Sequence, residues 1–198
     1  MSPDPPPTRL LASRAAGAAR ALNAAGHIVA AVEATSAGLV AACLQAVPRA
    51  SRYWQGGVTI YSAKAATALL PLETRRALGK PEDNYSSPEA YVKSKEAFTS
   101  VLAQHFRAEM AVDWVVAESG ATSADSLPRR LRSGGAFTVV AAAGPNGFRA
   151  SRVIRPPASN SREENMFYFA EAALQLLEES VMLWQGEHHH GQVWSSKL

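Results

Sequence analysis

The sequence predicts an α/β fold, a three-layer α/β/α sandwich with a mixed sheet, folded as a single domain. Three observations carry this reading. The runs IVAAVE (28–33), GGVTIYS (56–62) and MAVDWVVAE (110–118) are apolar or β-branched, of strand length, and separated by helical patterns, as parallel strands with helical crossovers require. AFTVVAAA (136–143) and FRASRVI (148–154) are joined by a Gly-Pro-Asn-Gly turn too short for a crossover, so they form a hairpin and make the sheet mixed. Finally, 198 residues of which 47% are hydrophobic suffice for one good core and not for two.

The helices follow in order. RLLASRAAGAARALNAA (9–25) sets Leu10, Leu11, Ala18 and Leu22 near one face, with Gly26 as the stop. Its arginine-rich, acid-poor composition also fits an organellar transit peptide, but the helical periodicity is the better account. AGLVAACLQAV (37–47) is a helix ended by Pro48, and KAATALLPLETRRALG (64–79) consists of short helical runs around a proline break. Ser87-Pro88-Glu89 supplies an N-cap, a proline at the first helical position and an acid in the first turn, opening a helix to about residue 107. Ser161-Arg162-Glu163-Glu164 opens the last helix, which runs to about residue 184. The domain thus spans 9–184, between a disordered proline-rich arm (1–8) and a flexible tail (185–198).

Composition excludes several functions. The net charge is +3, but the arginines are scattered without a basic stripe or interleaved aromatics, so no nucleic-acid partner is expected. No apolar run reaches membrane-spanning length, and the N-terminus lacks a secretory apolar region, so neither a membrane nor secretion is expected. A lone cysteine, Cys43, cannot form an internal disulfide and reads as a small core residue in a reducing compartment. Three contiguous histidines, His188 to His190, lack the fixed geometry of a metal site, so no metal is expected, and nothing calls for a cofactor.

Ligands in such sheets bind at the carboxyl ends of strands, where three polar joints fall. They are Glu33-Ala34-Thr35-Ser36-Ala37-Gly38, Tyr61-Ser62-Ala63-Lys64 and Glu118-Ser119-Gly120-Ala121-Thr122-Ser123. Helix capping alone would account for each set of hydroxyls. Together they would supply hydroxyl nucleophiles, a lysine that burial turns into a base, and a phenol to orient it.

The order of these joints, with VPRAS (47–51), GGVTIYS (56–62), SSPEA (86–90) and ESGAT (118–122), resembles the C-terminal domain of the competence-damage-inducible protein CinA, the nicotinamide-nucleotide amidohydrolase family. The similarity covers about residues 9 to 183. It implies hydrolysis of the carboxamide of nicotinamide mononucleotide, with release of ammonia. Bacterial members of that family carry E-S-C-T-G-G at the first joint, its Ser the nucleophile, and Y-S-N-E-A-K at the second, its Lys the base. Aligned without gaps, those two positions are Ala34 and Ala66 here. Either Ser36 or Thr35 has become the nucleophile, with Lys64 as base and Tyr61 to orient it, or hydrolysis is lost and a nucleotide-binding or regulatory protein remains. The substrate-binding residues expected at these joints are Glu33, Gly38, Ser62, Ser119, Gly120 and Thr122, although the family's glycine-rich A-G-P-x-G-G segment after Ser119-Gly120 has become Ala121-Thr122-Ser123-Ala124-Asp125 here. Arg162 falls where the family places an arginine near the start of its last helix, and is expected to bind substrate by pairing bidentately with a phosphate.

The expected partner is a small-molecule nucleotide, and self-association into a homo-oligomer is left open. The terminal Ser196-Lys197-Leu198 is the peroxisomal address S-K-L, read by the peroxisomal import receptor, so the expected compartment is the peroxisome in a eukaryote and the cytoplasm otherwise.

Overall fold

Five strands, β1 (Val29–Glu33), β2 (Trp54–Thr59), β3 (Trp114–Ala121), β4 (Phe137–Ala143) and β5 (Arg149–Ile154), form one sheet of order β2-β1-β3-β4-β5 in the computed structural model, which describes residues 7–78 and 86–192. β1 pairs parallel with β2 and β3, while β4 pairs antiparallel with β3 and β5. The sheet is therefore mixed. β1, β3 and β4 are buried almost throughout, as expected of central strands covered on both faces.

One face carries α1 (Pro7–Ala25), α2 (Leu39–Ala46) and α6 (Arg162–Gln192), closing a core around Leu22, Leu44, Trp114 and Leu177. Cys43 lies in this core, where burial pushes its thiol up to about 11. The other face carries α3 (Ala63–Leu69), α4 (Leu72–Ala77) and α5 (Pro88–Glu109), with Leu102, Phe106, Val115 and Val32 among the buried side chains. Strand alternation sorts the two cores: Trp114 and Val116 face α6, whereas Val115 and Ala117 face α5. At the start of α5, the Ser87 hydroxyl accepts the Ala90 N–H at 3.1 Å, with Pro88 in the first turn, as the local sequence predicts.

Several boundaries differ from expectation. Residues 110–113 end α5 rather than begin a strand: Met110 is the C-cap and Ala111 adopts a positive φ of 51°. β3 instead continues through Ala121, because β4 pairs with it along its full length. Ser119 and Gly120 are consequently strand residues and not part of a loop. Trp54 already belongs to β2, paired with Val29, two residues ahead of the expected strand start at Gly56. α6 continues past residue 184 to Gln192, into the stretch expected to be a tail, and α1 begins at Pro7 within the expected arm. Residues 1–6 and the Ser196-Lys197-Leu198 tripeptide lie outside the described residues, as do the side chains of Leu10 and His188 to His190. No described helix is long and apolar enough to cross a membrane, and the described residues contain no group of three or more His, Cys, Asp or Glu side chains placed to hold a metal.

Candidate functional site

Because β1, β2 and β3 run parallel, their carboxyl ends emerge on one side of the molecule, and the three polar joints meet there. Ala34, Thr35, Tyr61, Ser62, Ser119 and Gly120 line one cleft of about 390 Å³. Its walls come from α3 and α4 on one side (Ala66, Leu70, Arg75) and from Tyr91, Ser94, Lys95 and Phe98 of α5 on the other.

Beneath the cleft lies a buried polar network. Glu118 is 1% exposed, and its carboxylate accepts the N–H groups of Ala34 and Ser36, each at 2.7 Å. It also accepts the hydroxyls of Thr138 at 3.0 Å and of Thr35. Such a set of donors is what an ionised carboxylate needs when it leaves water. Glu33 plays the corresponding part for α2. It accepts the N–H groups of Gly38, Val40 and Ala41 at 2.9, 3.0 and 2.8 Å, satisfying donors that the start of the helix leaves unpaired. Burial, the largest influence, raises the Glu33 pKa, opposed by its hydrogen bonds from Ser36, Ala41 and Val40. The turn between the two carboxylates is tight, with Ala37 at φ 56° and Gly38 at φ 99°; the latter is a conformation that suits glycine.

Ser36 does not reach the cleft. It is fully buried, with its hydroxyl 2.6 Å from Glu33 and 2.7 Å from Glu118, inside the polar network between the two carboxyl groups. Lys64 does not reach it either. α3 starts at Ala63, capped by the Ser62 hydroxyl accepting the Ala65 N–H at 3.1 Å, and this start leaves Lys64 exposed on the outer side of the first turn. Gly38 and Glu33 are structural neighbours of the cleft and do not line it. Thr122 is buried beyond the end of β3, its carbonyl accepting the Asn165 amide at 2.8 Å. Arg162, at the start of α6, donates to Ser126 Oγ at 2.9 Å and to the Tyr61 hydroxyl at 3.3 Å, which brings a guanidinium to the rim.

The cleft does contain a lysine, one that the sequence reading missed. Lys95 of α5 donates from Nζ to Ser119 Oγ at 3.2 Å and lies 5.6 and 5.0 Å from the ring centroids of Tyr91 and Phe98. Burial lowers its pKa, with Glu118 acting in the opposite direction. A signal was present in the sequence: Lys95, Thr99, Leu102 and Phe106 follow the 4-3-4 spacing of one helix face, and the last three are buried. Arg75 was also missed; its Nε is buried in the cleft wall and has no hydrogen-bond partner.

Comparison with known proteins shows which family the fold belongs to. The model of the CinA C-terminal domain family matches residues 12–181. A CinA-like protein of Gloeobacter violaceus is 28% identical over 171 residues, covering 86% of this chain but only 37% of that protein, so the chain spans well under half of that relative's length. Among solved structures, a competence-damaged protein (CinA) superfamily protein from Klebsiella pneumoniae superposes with a TM-score of 0.68 at 20% identity, covering 88% of this chain and 99% of that one. A competence/damage inducible protein from Agrobacterium tumefaciens superposes with a TM-score of 0.65 at 19% identity, covering 91% and 99%. The matched residues take in every strand of the sheet and all three joints, and the chain belongs to the CinA C-terminal domain family.

Proposed function

We propose that the protein is an amide hydrolase acting on nicotinamide mononucleotide or a related small nucleotide amide, releasing ammonia. The observation that carries this reading is the cleft itself. At about 390 Å³ it falls within the range that small-molecule sites occupy, roughly 300–1,000 Å³. A half-buried amine, a phenol and several hydroxyls meet in it, groups suited to nucleophilic attack on a carboxamide. The cations support a phosphorylated substrate: Arg75 offers a buried guanidinium nitrogen without a partner, and Arg162 stands at the rim beside Tyr61.

A second reading is favoured by one observation. Ala34 and Ala66, which occupy the positions where the family resemblance places its nucleophile and base, both line the cleft. A nucleotide-binding protein without hydrolysis would have this composition. Purified protein incubated with nicotinamide mononucleotide and a panel of nucleotide amides separates the two readings. Ammonia release supports the hydrolase, whereas calorimetric binding without ammonia from any member of the panel supports the binding protein. Peroxisomal delivery belongs to the same proposal for a chain that ends at Leu198 in a eukaryotic cell. A fluorescent protein fused to residues 186–198 that stays diffuse would remove it.

A further inference from the structure

Two hydroxyls in the cleft have a neighbour able to take up a proton, since the guanidinium beside Tyr61 cannot. The Thr35 hydroxyl donates to Glu118, but that carboxylate also accepts from Ala34, Ser36 and Thr138, so taking up the Thr35 proton would disrupt bonds to the other donors. Ser119 is placed differently. Strand alternation turns it away from Glu118 and toward α5, where Lys95 Nζ sits 3.2 Å from its Oγ. The amine lies 5.6 and 5.0 Å from the ring centroids of Tyr91 and Phe98, contacts that hold it against the strand.

We propose that Ser119 and Lys95 form a nucleophile–base pair in this cleft. For its substrate the proposal rests on the amide-hydrolase reading above. Neutral Lys95 takes the Ser119 hydroxyl proton as Oγ bonds to the carboxamide carbon, and the carbonyl π electrons move onto oxygen. The tetrahedral adduct collapses with cleavage of the C–N bond, and the proton on Lys95 passes to the departing nitrogen, which leaves as ammonia. Ser119 then carries an ester. A water molecule gives one proton to Lys95 and adds its hydroxide to the ester carbon, and collapse returns the proton from Lys95 to Oγ. The carboxylic acid released ionises in solvent. The burial that lowers the lysine pKa favours the neutral amine this sequence needs. Other groups bear on its titration: Glu118 from β3 holds the proton on and the Tyr91 and Phe98 rings also favour the cation, while Arg75 from α4 lines the same cleft.

The test uses an acyl-transfer probe, p-nitrophenyl acetate, on the full chain, with the adduct located by peptide mass mapping. One acetyl group on Ser119 is expected, absent in Ser119→Ala and formed about 10²–10⁴-fold more slowly in Lys95→Met. The labelling rate of the unmodified chain should rise with pH along a titration that Lys95→Met abolishes. Should Lys95→Met fail to fold by circular dichroism, Lys95→Arg replaces it, since a guanidinium keeps the charge but supplies no neutral base. No acetylation of Ser119 overturns the pair. Ammonia release from nicotinamide mononucleotide that survives Ser119→Ala overturns the pair while leaving the hydrolase reading intact. Ser119 acetylation that depends on Lys95, without ammonia from any nucleotide amide, upholds the pair and removes the hydrolase reading.

Discussion

At the scale of single residues, the cleft depends on a carboxylate that never meets solvent. Glu118 keeps its place because several donors converge on it, so removing one should cost stability without altering shape. Thr138→Val, nearly isosteric, deletes the bond at 3.0 Å and should lower unfolding free energy by about 1–3 kcal/mol, read from urea denaturation. An unchanged midpoint would mean that the remaining donors hold Glu118 unaided. Thr35, Tyr61 and Ser119 were legible as polar residues at strand ends, and the cleft gathers all three. Ser36 and Lys64 were legible as reactive types, but whether a side chain enters a cleft depends on where a helix begins, and a shift of two residues turns a side chain by about 200°. Lys95 shares a helix face with Thr99, Leu102 and Phe106 by its spacing, but that this face opens into the cleft shows only once the helix is docked on the sheet.

At the scale of elements, β3 is the part of the fold on which the cleft is hung. It carries Glu118 on one face and Ser119 on the other, and Gly120 between the cleft and β4. A Cβ at Gly120 would overlap the Phe137 carbonyl oxygen, which belongs to the backbone and cannot rotate aside. Gly120→Ala should therefore spread β3 from β4 and destabilise by about 3 kcal/mol or more, in the range of severe core substitutions. A loss of under about 1 kcal/mol in chemical denaturation would show that the strands yield easily. The strand runs were readable from their β-branched and alanine-rich composition, and the hairpin from its turn. The three-residue run-on of β3 through Ala121 was not, because Ser119 and Gly120 have little strand preference of their own and are held there by the β4 ladder.

At the scale of the whole molecule, a ligand that fits the cleft should stabilise the fold by mass action. Saturation with nicotinamide mononucleotide at a hundred times Kd adds about 2.7 kcal/mol, which for a chain of this size raises Tm by roughly 5–10 °C. The corresponding nucleoside, lacking the phosphate, should shift Tm less, and the difference should shrink with salt as the field of Arg75 and Arg162 is screened. Equal shifts for both would detach the phosphate from these cations. The position of Ser36 has a further consequence for the molecule as a whole. Its hydroxyl stands within hydrogen-bond reach of both Glu33 and Glu118 but owns one hydrogen, so with both acids ionised one contact would set lone pair against lone pair. A proton on Glu33 resolves this, and burial raises the Glu33 pKa above its ordinary 4.5. Since the unfolded chain releases that proton at lower pH than the folded one, the stability tied to Glu33 is greatest below 4.5 and declines as pH rises toward the folded value. Folding in that window must draw a proton from the buffer. Refolding enthalpies measured in buffers of different ionisation heat should diverge for the native chain and converge for Glu33→Gln, which makes this protein's folding an acid–base reaction with its surroundings.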